Sequence, residues 1–141
     1  MTTLNSSTLR RLKKLKQAPT VWEGDRRPLP KARSQQDGTN LIPLHQNVSD
    51  EDQPQCIIWV DGSMGMVRAM DIVEPEVGQE AFVRALLQAM ERPQSPAQPG
   101  MPQKILLSDR SMQFYLRGVL QDLDITVEYV EQLPLIDEIF A

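Results

Sequence analysis

The chain has 141 residues, enough for one domain with a single hydrophobic core, and only 5% of them are aromatic. Its charge is unevenly distributed: residues 1–33 hold nine Lys or Arg and two acids, whereas the remaining residues hold six basic and seventeen acidic side chains. One cysteine and one histidine exclude an intramolecular disulfide and a zinc site built from four such ligands, and no apolar run approaches the ~20 residues that span a bilayer. We expect a cytoplasmic protein without cofactors.

The first 17 residues predict a basic amphipathic helix. In "SSTLRRLKKLKQ" (6–17), Leu9, Leu12 and Leu15 are spaced by three, and Pro19 ends the helix. The basic side chains of this arm are Arg10, Arg11, Lys13, Lys14 and Lys16. Three interpretations stay open: a flexible solvated arm that orders only on a partner, a contact with nucleic acid or an anionic membrane, and a transit-like segment. Nucleic-acid binding is the less favoured, because the arm lacks aromatic residues for stacking.

Residues 18–52 predict a linker that is mostly disordered. The segment is rich in Pro, Gln, Asn, Asp, Ser and Gly and shows neither helical nor strand periodicity. Trp22 is unusual in such a polar tether, because an exposed indole is costly. We expect Trp22 to dock, either on its own domain or on a partner.

Residues 53–141 predict an α/β domain. Short apolar strands at 57–60 and 66–73 flank the turn sequence "DGSMG", and the following segments are a helix at 79–90, a strand at 104–109, a helix at 110–124, a strand at 125–132 and a final helix at 133–141. The order is β-β-α-β-α-β-α in a single small sheet. Strands joined through helices favour a parallel core, to which the first hairpin adds an antiparallel partner.

Asp61 raises the question of a nuclease. "WVDGS" (59–63) resembles the start of ribonuclease-H-like domains, which place carboxylates on the first strand, the first helix, the end of a later strand and the last helix to hold two metal ions. Asp61, Glu80, Asp109 and Asp137 follow that order, so a metal-dependent nuclease is one alternative. Two features oppose it. That fold has three antiparallel strands before its first helix, and only two fit between residues 53 and 78.

The second opposing feature is the position of Asp61, which lies in the turn and not within a strand. Asp-Gly is a common hairpin dipeptide, and Asp109 is placed to cap a helix. We therefore expect no catalytic residue and no metal ligand in this chain.

The C-terminal segment "EYVEQLPLIDEIFA" predicts a docking surface. It has more apolar side chains than one buried stripe of a short helix needs, and acids beside them. The residues concerned are Leu133, Leu135, Ile136, Ile139, Phe140, Glu128 and Glu131. Such a patch would bind an apolar or basic segment of another protein, or pair two copies of the chain in a homodimer. The alternative is that these residues close the core.

The phrases "GMVRAMDIVEP", "LLQAME", "PQKI", "QFYLRGVLQDLDI" and "LPLIDEIF", with "WEGDRRPL" upstream, resemble a family of uncharacterised cyanobacterial proteins whose members are often longer at the C-terminus. The resemblance supplies a lineage and no assigned catalytic residues that could be carried over to this chain. It fits a non-enzymatic protein-binding module, an adaptor or assembly factor, of which carboxysome shell assembly is one example. A nucleic-acid-binding accessory protein acting through the basic arm is a further alternative.

Overall fold

The structure, a computed structural model, describes residues 4–29 and 53–141. Within these residues the chain forms one five-stranded sheet and four helices. In chain order the elements are α1 (Ser6–Lys13), β1 (Val21–Pro28), β2 (Gln55–Asp61), β3 (Met66–Val73), α2 (Glu80–Glu91), β4 (Lys104–Leu107), α3 (Arg110–Val119), β5 (Thr126–Tyr129) and α4 (Pro134–Ile139). No helix among them is both long and apolar enough to cross a membrane.

The sheet is mixed, with strand order β3-β2-β1-β4-β5. The strands β1, β2 and β3 form an antiparallel meander, while β4 lies parallel to β1 and β5 lies parallel to β4. The predicted hairpin between β2 and β3 is confirmed. Its turn places Gly65 at a φ of 64°, and the Gly65 N–H donates to the carbonyl oxygen of Asp61 at 2.8 Å.

The central strand β1 corrects the predicted organisation. Residues 21–28 lie inside the segment that the sequence predicts as a linker, yet they pair with both β2 and β4. The sheet therefore has three strands before α2, and the order is α-β-β-β-α-β-α-β-α. Trp22 docks on its own domain, where it is 1% exposed. The rest of the predicted linker, 30–52, lies outside the described residues.

Two apolar layers lie on opposite faces of the sheet. On one face α1, α2 and α3 cover the larger core, whose centre contains Trp22, Trp59 and Phe82. The Trp59 and Phe82 rings are 4.8 Å apart. On the other face α4 contributes Leu133 and Ile136 to a smaller core against β2. The alternation of strand side chains between faces produces this division.

Helix α1 belongs to the folded unit. Asn5 caps it by accepting from the Thr8 N–H at 2.8 Å, and Leu12 is completely buried. Arg11 forms an ion pair with Glu91 at the end of α2, at 3.0 Å. The predicted helix is present, but over residues 6–13 it is not the flexible solvated arm that the sequence suggests, because its leucines pack on the core.

Candidate functional site at the carboxyl ends of β1 and β4

A crevice of about 210 Å³ opens beyond the carboxyl ends of the parallel strands β1 and β4. From β1 the chain continues to β2 on one side, and from β4 it continues through α3 to β5 on the other. A reversal of this kind leaves a gap that is a common binding position in open α/β sheets. The crevice lining includes Asp25 and Arg26 from β1 and Asp109 from the loop after β4.

A guanidinium group links the two carboxylates that the fold brings near the end of β1. The Nε of Arg27 donates to Asp25 Oδ2 at 2.7 Å, and its Nη2 donates to Asp137 Oδ1 on α4. Burial alone lowers the pKa of Arg27, but its hydrogen bonds to the two carboxylates outweigh that effect and raise the pKa overall. Arg27 therefore stays cationic and neutralises part of the charge of this acidic pair.

The other acid of β1, Glu23, binds the start of helix α4. Glu23 is 5% exposed, and its Oε1 accepts from the backbone N–H groups of Leu135 and Ile136 at 3.1 Å each. These groups belong to the first turn of α4, where backbone N–H groups lack partners within the helix. Glu23 thus positions α4 over β1.

The other carboxylates of the nuclease hypothesis do not converge. Asp109 accepts from the Met112 N–H at 3.0 Å and caps α3, as the sequence predicts, while Glu80 lies in the first turn of α2. Asp61 lies at the opposite end of the sheet. It pairs with Trp22, which pairs with Ile105, so Asp109 is displaced from Asp61 by four residues, or roughly 13 Å along the strands.

The sequence predicts Asp61 as the first of the nuclease acids, because the residues of β1 have the composition of a linker. In the structure the acids of the first strand are Glu23 and Asp25. Among the residues that the structure describes, no three His, Cys, Asp or Glu side chains are grouped so that they could hold a metal ion.

A family model for a domain of unknown function, DUF6930, matches residues 8–141. The chain belongs to the DUF6930 family. No curated protein is significantly similar to the chain.

The DUF6930 chain is similar in structure to retroviral integrase cores. The HTLV-2 integrase catalytic core domain, solved in complex with magnesium, superposes with a TM-score of 0.51 at 14% identity over 86% of this chain. A simian T-cell lymphotropic virus intasome, solved with the PP2A regulatory subunit B56 gamma, gives a TM-score of 0.47 at 12% identity over 93% of this chain. The DUF6930 chain spans 64% and 45% of the length of these two chains. The likeness to the HTLV-2 core is one of fold alone. Because β1, β2 and β3 form three antiparallel strands before α2, the strand-count objection to a ribonuclease-H-like fold is wrong.

The residues of the predicted C-terminal patch of the DUF6930 chain differ in their exposure to solvent. Leu133 and Ile136 are completely buried, whereas Ile139 is 41% exposed. Leu135 and Phe140 are half-buried, Glu131 is exposed, and Glu128 forms an exposed ion pair with Lys104 at 3.3 Å. Docking at this patch stays a prediction that concerns its exposed members.

The basic side chains of α1 and the segment after it are all exposed, and the structure does not gather them at the crevice. Contact of this basic segment with nucleic acid also stays a prediction.

One surface feature escaped the sequence analysis. Phe114 on α3 is 76% exposed, the largest exposure among the large hydrophobic residues of the part of the chain that the structure describes. A signal was present: Phe114 lies off the stripe formed by Met112, Leu116 and Val119, which alone is buried. Helical spacing therefore places Phe114 on the solvent side of α3.

Proposed function

We propose that this DUF6930 domain is a non-catalytic protein-binding module built on a ribonuclease-H-like fold. The observation that carries the proposal is the exposure of Phe114. A phenylalanine that is 76% exposed on a helix contributes little to the core, and an exposed aromatic ring marks a partner surface when other interface-type side chains surround it.

The surroundings of Phe114 have the composition of an interface. Arg110 and Arg117 stand four residues before it and three residues after it, so the three side chains share one helix face. The guanidinium of Arg110 lies 4.0 Å from the centre of the Tyr129 ring. We call Arg110, Phe114, Arg117 and Tyr129 the α3 patch. Aromatic residues and arginine dominate the binding energy of protein interfaces.

The positive charge of the α3 patch favours an acidic partner. Two arginines beside one phenylalanine fit an acidic segment that offers an apolar pocket or side chain to the ring. An adaptor or assembly factor, the role that we expect from the sequence, would use such a contact.

The carboxylates of the domain support a non-catalytic role. Asp25 and Asp137 are bound by Arg27, Glu23 caps α4 and Asp109 caps α3, so these acids already have structural partners. The alternative is a metal-dependent nuclease, which the fold allows. Its acids would be drawn from Asp25, Asp109 and Asp137, which are not grouped as a metal site among the described residues. Arg27 would also have to leave its partners before a metal ion could bind.

Site-specific photocrosslinking tests the protein-binding proposal. A benzoyl-phenylalanine at position 114 should form a discrete protein adduct in extract from the native organism, whereas the same group at Gln121, an exposed position beyond α3, should not. The adduct should disappear when Arg110→Glu and Arg117→Glu are added, because the partner's acids are then repelled. Equal adducts at 114 and 121, or an adduct unaffected by charge reversal, contradict the proposal. A third label at Ile139 tests the C-terminal patch in the same experiment.

A nuclease assay tests the alternative. We expect no cleavage of single- or double-stranded DNA or RNA by the wild-type chain with Mg²⁺ or Mn²⁺. Cleavage that is lost in Asp25→Asn and Asp109→Asn but kept in Asp61→Asn would overturn the non-catalytic role, since Asp61 lies at the other end of the sheet.

A further inference from the structure

A second cavity lies at the opposite end of the sheet from the crevice and plays no part in the proposed function. It measures about 370 Å³ and is bounded by the end of β2, the start of β3, the segment after α1 and the proline-rich loop at 96–101. Its lining is mostly apolar, with Trp22, Met64 and Met66 among the contributors. We infer that this cavity binds a carboxylate carried on an apolar body.

The apolar part of the inference rests on size and lining. Small-molecule sites typically measure 300–1,000 Å³ and combine apolar walls with a few polar groups. Methionine side chains adapt to ligands of different shape, and Met64 is 66% exposed beside the cavity. The walls therefore fit a flexible aliphatic or aromatic body.

The carboxylate part rests on a buried cation whose hydrogen bonding is incomplete. Arg68 is 5% exposed, and its guanidinium lies 4.4 Å from the centre of the Trp22 ring. Its Nε donates to the carbonyl oxygen of Ala89 at 3.1 Å and its Nη2 to that of Gln98 at 2.6 Å. Asp61 lies 3.5 Å from Nη1, beyond a good hydrogen bond, since its Oδ1 accepts from the N–H and hydroxyl of Ser63 at 2.9 and 2.7 Å.

Guanidinium donors therefore remain for a ligand, because arginine carries five N–H groups. Burial lowers the pKa of Arg68, and Asp61 only partly opposes that effect, which is the situation of a buried charge with too little compensation.

The charge balance of the lining points to the same ligand. The buried indole N–H groups of Trp22 and Trp59 both lack a hydrogen-bond partner among the described residues, so this feature does not distinguish the cavity from the core. The charged groups of the lining are Lys16, Arg68 and Asp61, which leave one positive charge in excess. An anion is favoured, and a carboxylate is the anion that most commonly carries an apolar body.

Two sources supply this chemistry: a free fatty or aromatic acid, and the C-terminal carboxylate of a peptide with an apolar last residue. Both can be tested by the indole N–H signals in a nitrogen–proton correlation spectrum of the full chain. The protein has two tryptophans. Trp22 lines the cavity, whereas Trp59 packs on Phe82 in the core and serves as an internal reference.

Titration with octanoate, or with a short peptide that ends in leucine, should shift the Trp22 indole signal in a saturable manner and leave that of Trp59 unchanged. The neutral matches, 1-octanol and the same peptide as its C-terminal amide, should bind about tenfold more weakly, because they lack the charge that Arg68 and Lys16 attract. Binding of the acid alone or of the peptide alone supports the inference and identifies the source.

Variants at the cavity rim complete the test. Lys16→Glu should weaken octanoate binding about fivefold, whereas Lys14→Glu, an equal charge change outside the lining, should alter it by less than about twofold. Ala97→Phe should block the cavity without touching the core. The inference is overturned if neither carboxylate shifts the Trp22 signal, if the neutral matches bind as tightly, or if the two lysine variants behave alike.

Discussion

Asp61 and Arg68 form a buried ion pair whose two members depend on each other. Their side chains are 7% and 6% exposed, with 3.5 Å between Asp61 Oδ2 and Arg68 Nη1. Buried charges of this kind are tolerated only while a partner of opposite charge compensates them. Removal of one partner leaves the other charge buried and uncompensated. Asp61 is thus a structural residue at the end of β2, neither a simple turn residue nor a member of the acidic crevice.

Asp61→Asn should lower the free energy of unfolding by about 3 kcal/mol, because it leaves Arg68 charged and poorly compensated. The amide oxygen of asparagine can still accept from Ser63, so the variant mainly removes the charge. Equilibrium urea unfolding measures the change. The matched control is Glu128→Gln, which breaks an exposed pair with Lys104 and should cost less than about 1 kcal/mol. Similar losses in both variants would contradict the compensating role of Asp61.

Gly24 is required by the close approach of a tryptophan ring. A Cβ at position 24 would lie 2.6 Å from Cε3 of Trp59, which is completely buried and cannot move aside. Gly24→Ala should therefore destabilise the domain by about 2 kcal/mol or more through overpacking. Gly118→Ala is the control: nothing lies within 4 Å of the added Cβ, and in a helix the change should stabilise by about 0.5–1 kcal/mol. Thermal unfolding of both variants checks the opposite signs.

At the scale of elements, β1 shows why part of the fold could not be predicted from the sequence. Its eight residues include four charged side chains, a glycine and a proline, a composition typical of a loop. The partners of these polar side chains are distant in sequence. Arg26 donates to Gln55 and to the carbonyl oxygens of Pro75 and Gly78. Glu23 and Arg27 bind groups of α4. By contrast, α2, α3 and β4 were predictable because their burial follows a local period.

The candidate sites also separate into features set by neighbouring residues, which were predictable, and features set by distant contacts, which were not. The cap at Asp109 was predictable, since its partner Met112 is three residues away. The Arg27 bridge and the cavity around Arg68 were not, because they join segments separated by up to 110 residues.

The dependence of α4 on Glu23 gives a prediction for that helix. Glu23→Ala leaves the N–H groups of Leu135 and Ile136 without their buried acceptor and should cost about 2–3 kcal/mol. Glu23→Gln keeps an acceptor oxygen and should cost less, about 1 kcal/mol. Amide hydrogen exchange at residues 135 and 136 should accelerate in the alanine variant and remain slow in the glutamine variant. Unchanged exchange in Glu23→Ala would show that α4 is held by its apolar contacts alone.

For the whole molecule, the basic N-terminal segment and the acidic remainder of the sequence are not separate units in the folded structure. Arg26 and Arg27, from the basic segment, lie in the central strand, where Arg26 donates to Gln55 and Arg27 to Asp137 of the acidic remainder. Arg11 pairs with Glu91 in the same way. The folded unit therefore starts at α1, in agreement with the family match over residues 8–141.

Asp25 and Asp137 come together near the end of β1, and Arg27 lies between them and binds both. Arg27→Gln should free Asp25 and Asp137, which both lie within reach of one guanidinium and should then attract a divalent cation. We expect millimolar Mn²⁺ to raise the melting temperature of this variant by about 2 °C or more, while leaving the wild type unchanged.

Arg26→Gln is the control for the Arg27 experiment, because Arg26 lies on the same strand but binds an amide and two backbone carbonyl oxygens instead of carboxylates. Its melting temperature should not respond to Mn²⁺. A response of the wild-type chain would mean that a cation competes with Arg27 in the native protein, and the nuclease alternative would then gain over a binding module. A response of neither arginine variant would mean that Asp25 and Asp137 separate once the guanidinium is removed, so that Arg27 holds the two acids together as well as neutralising them.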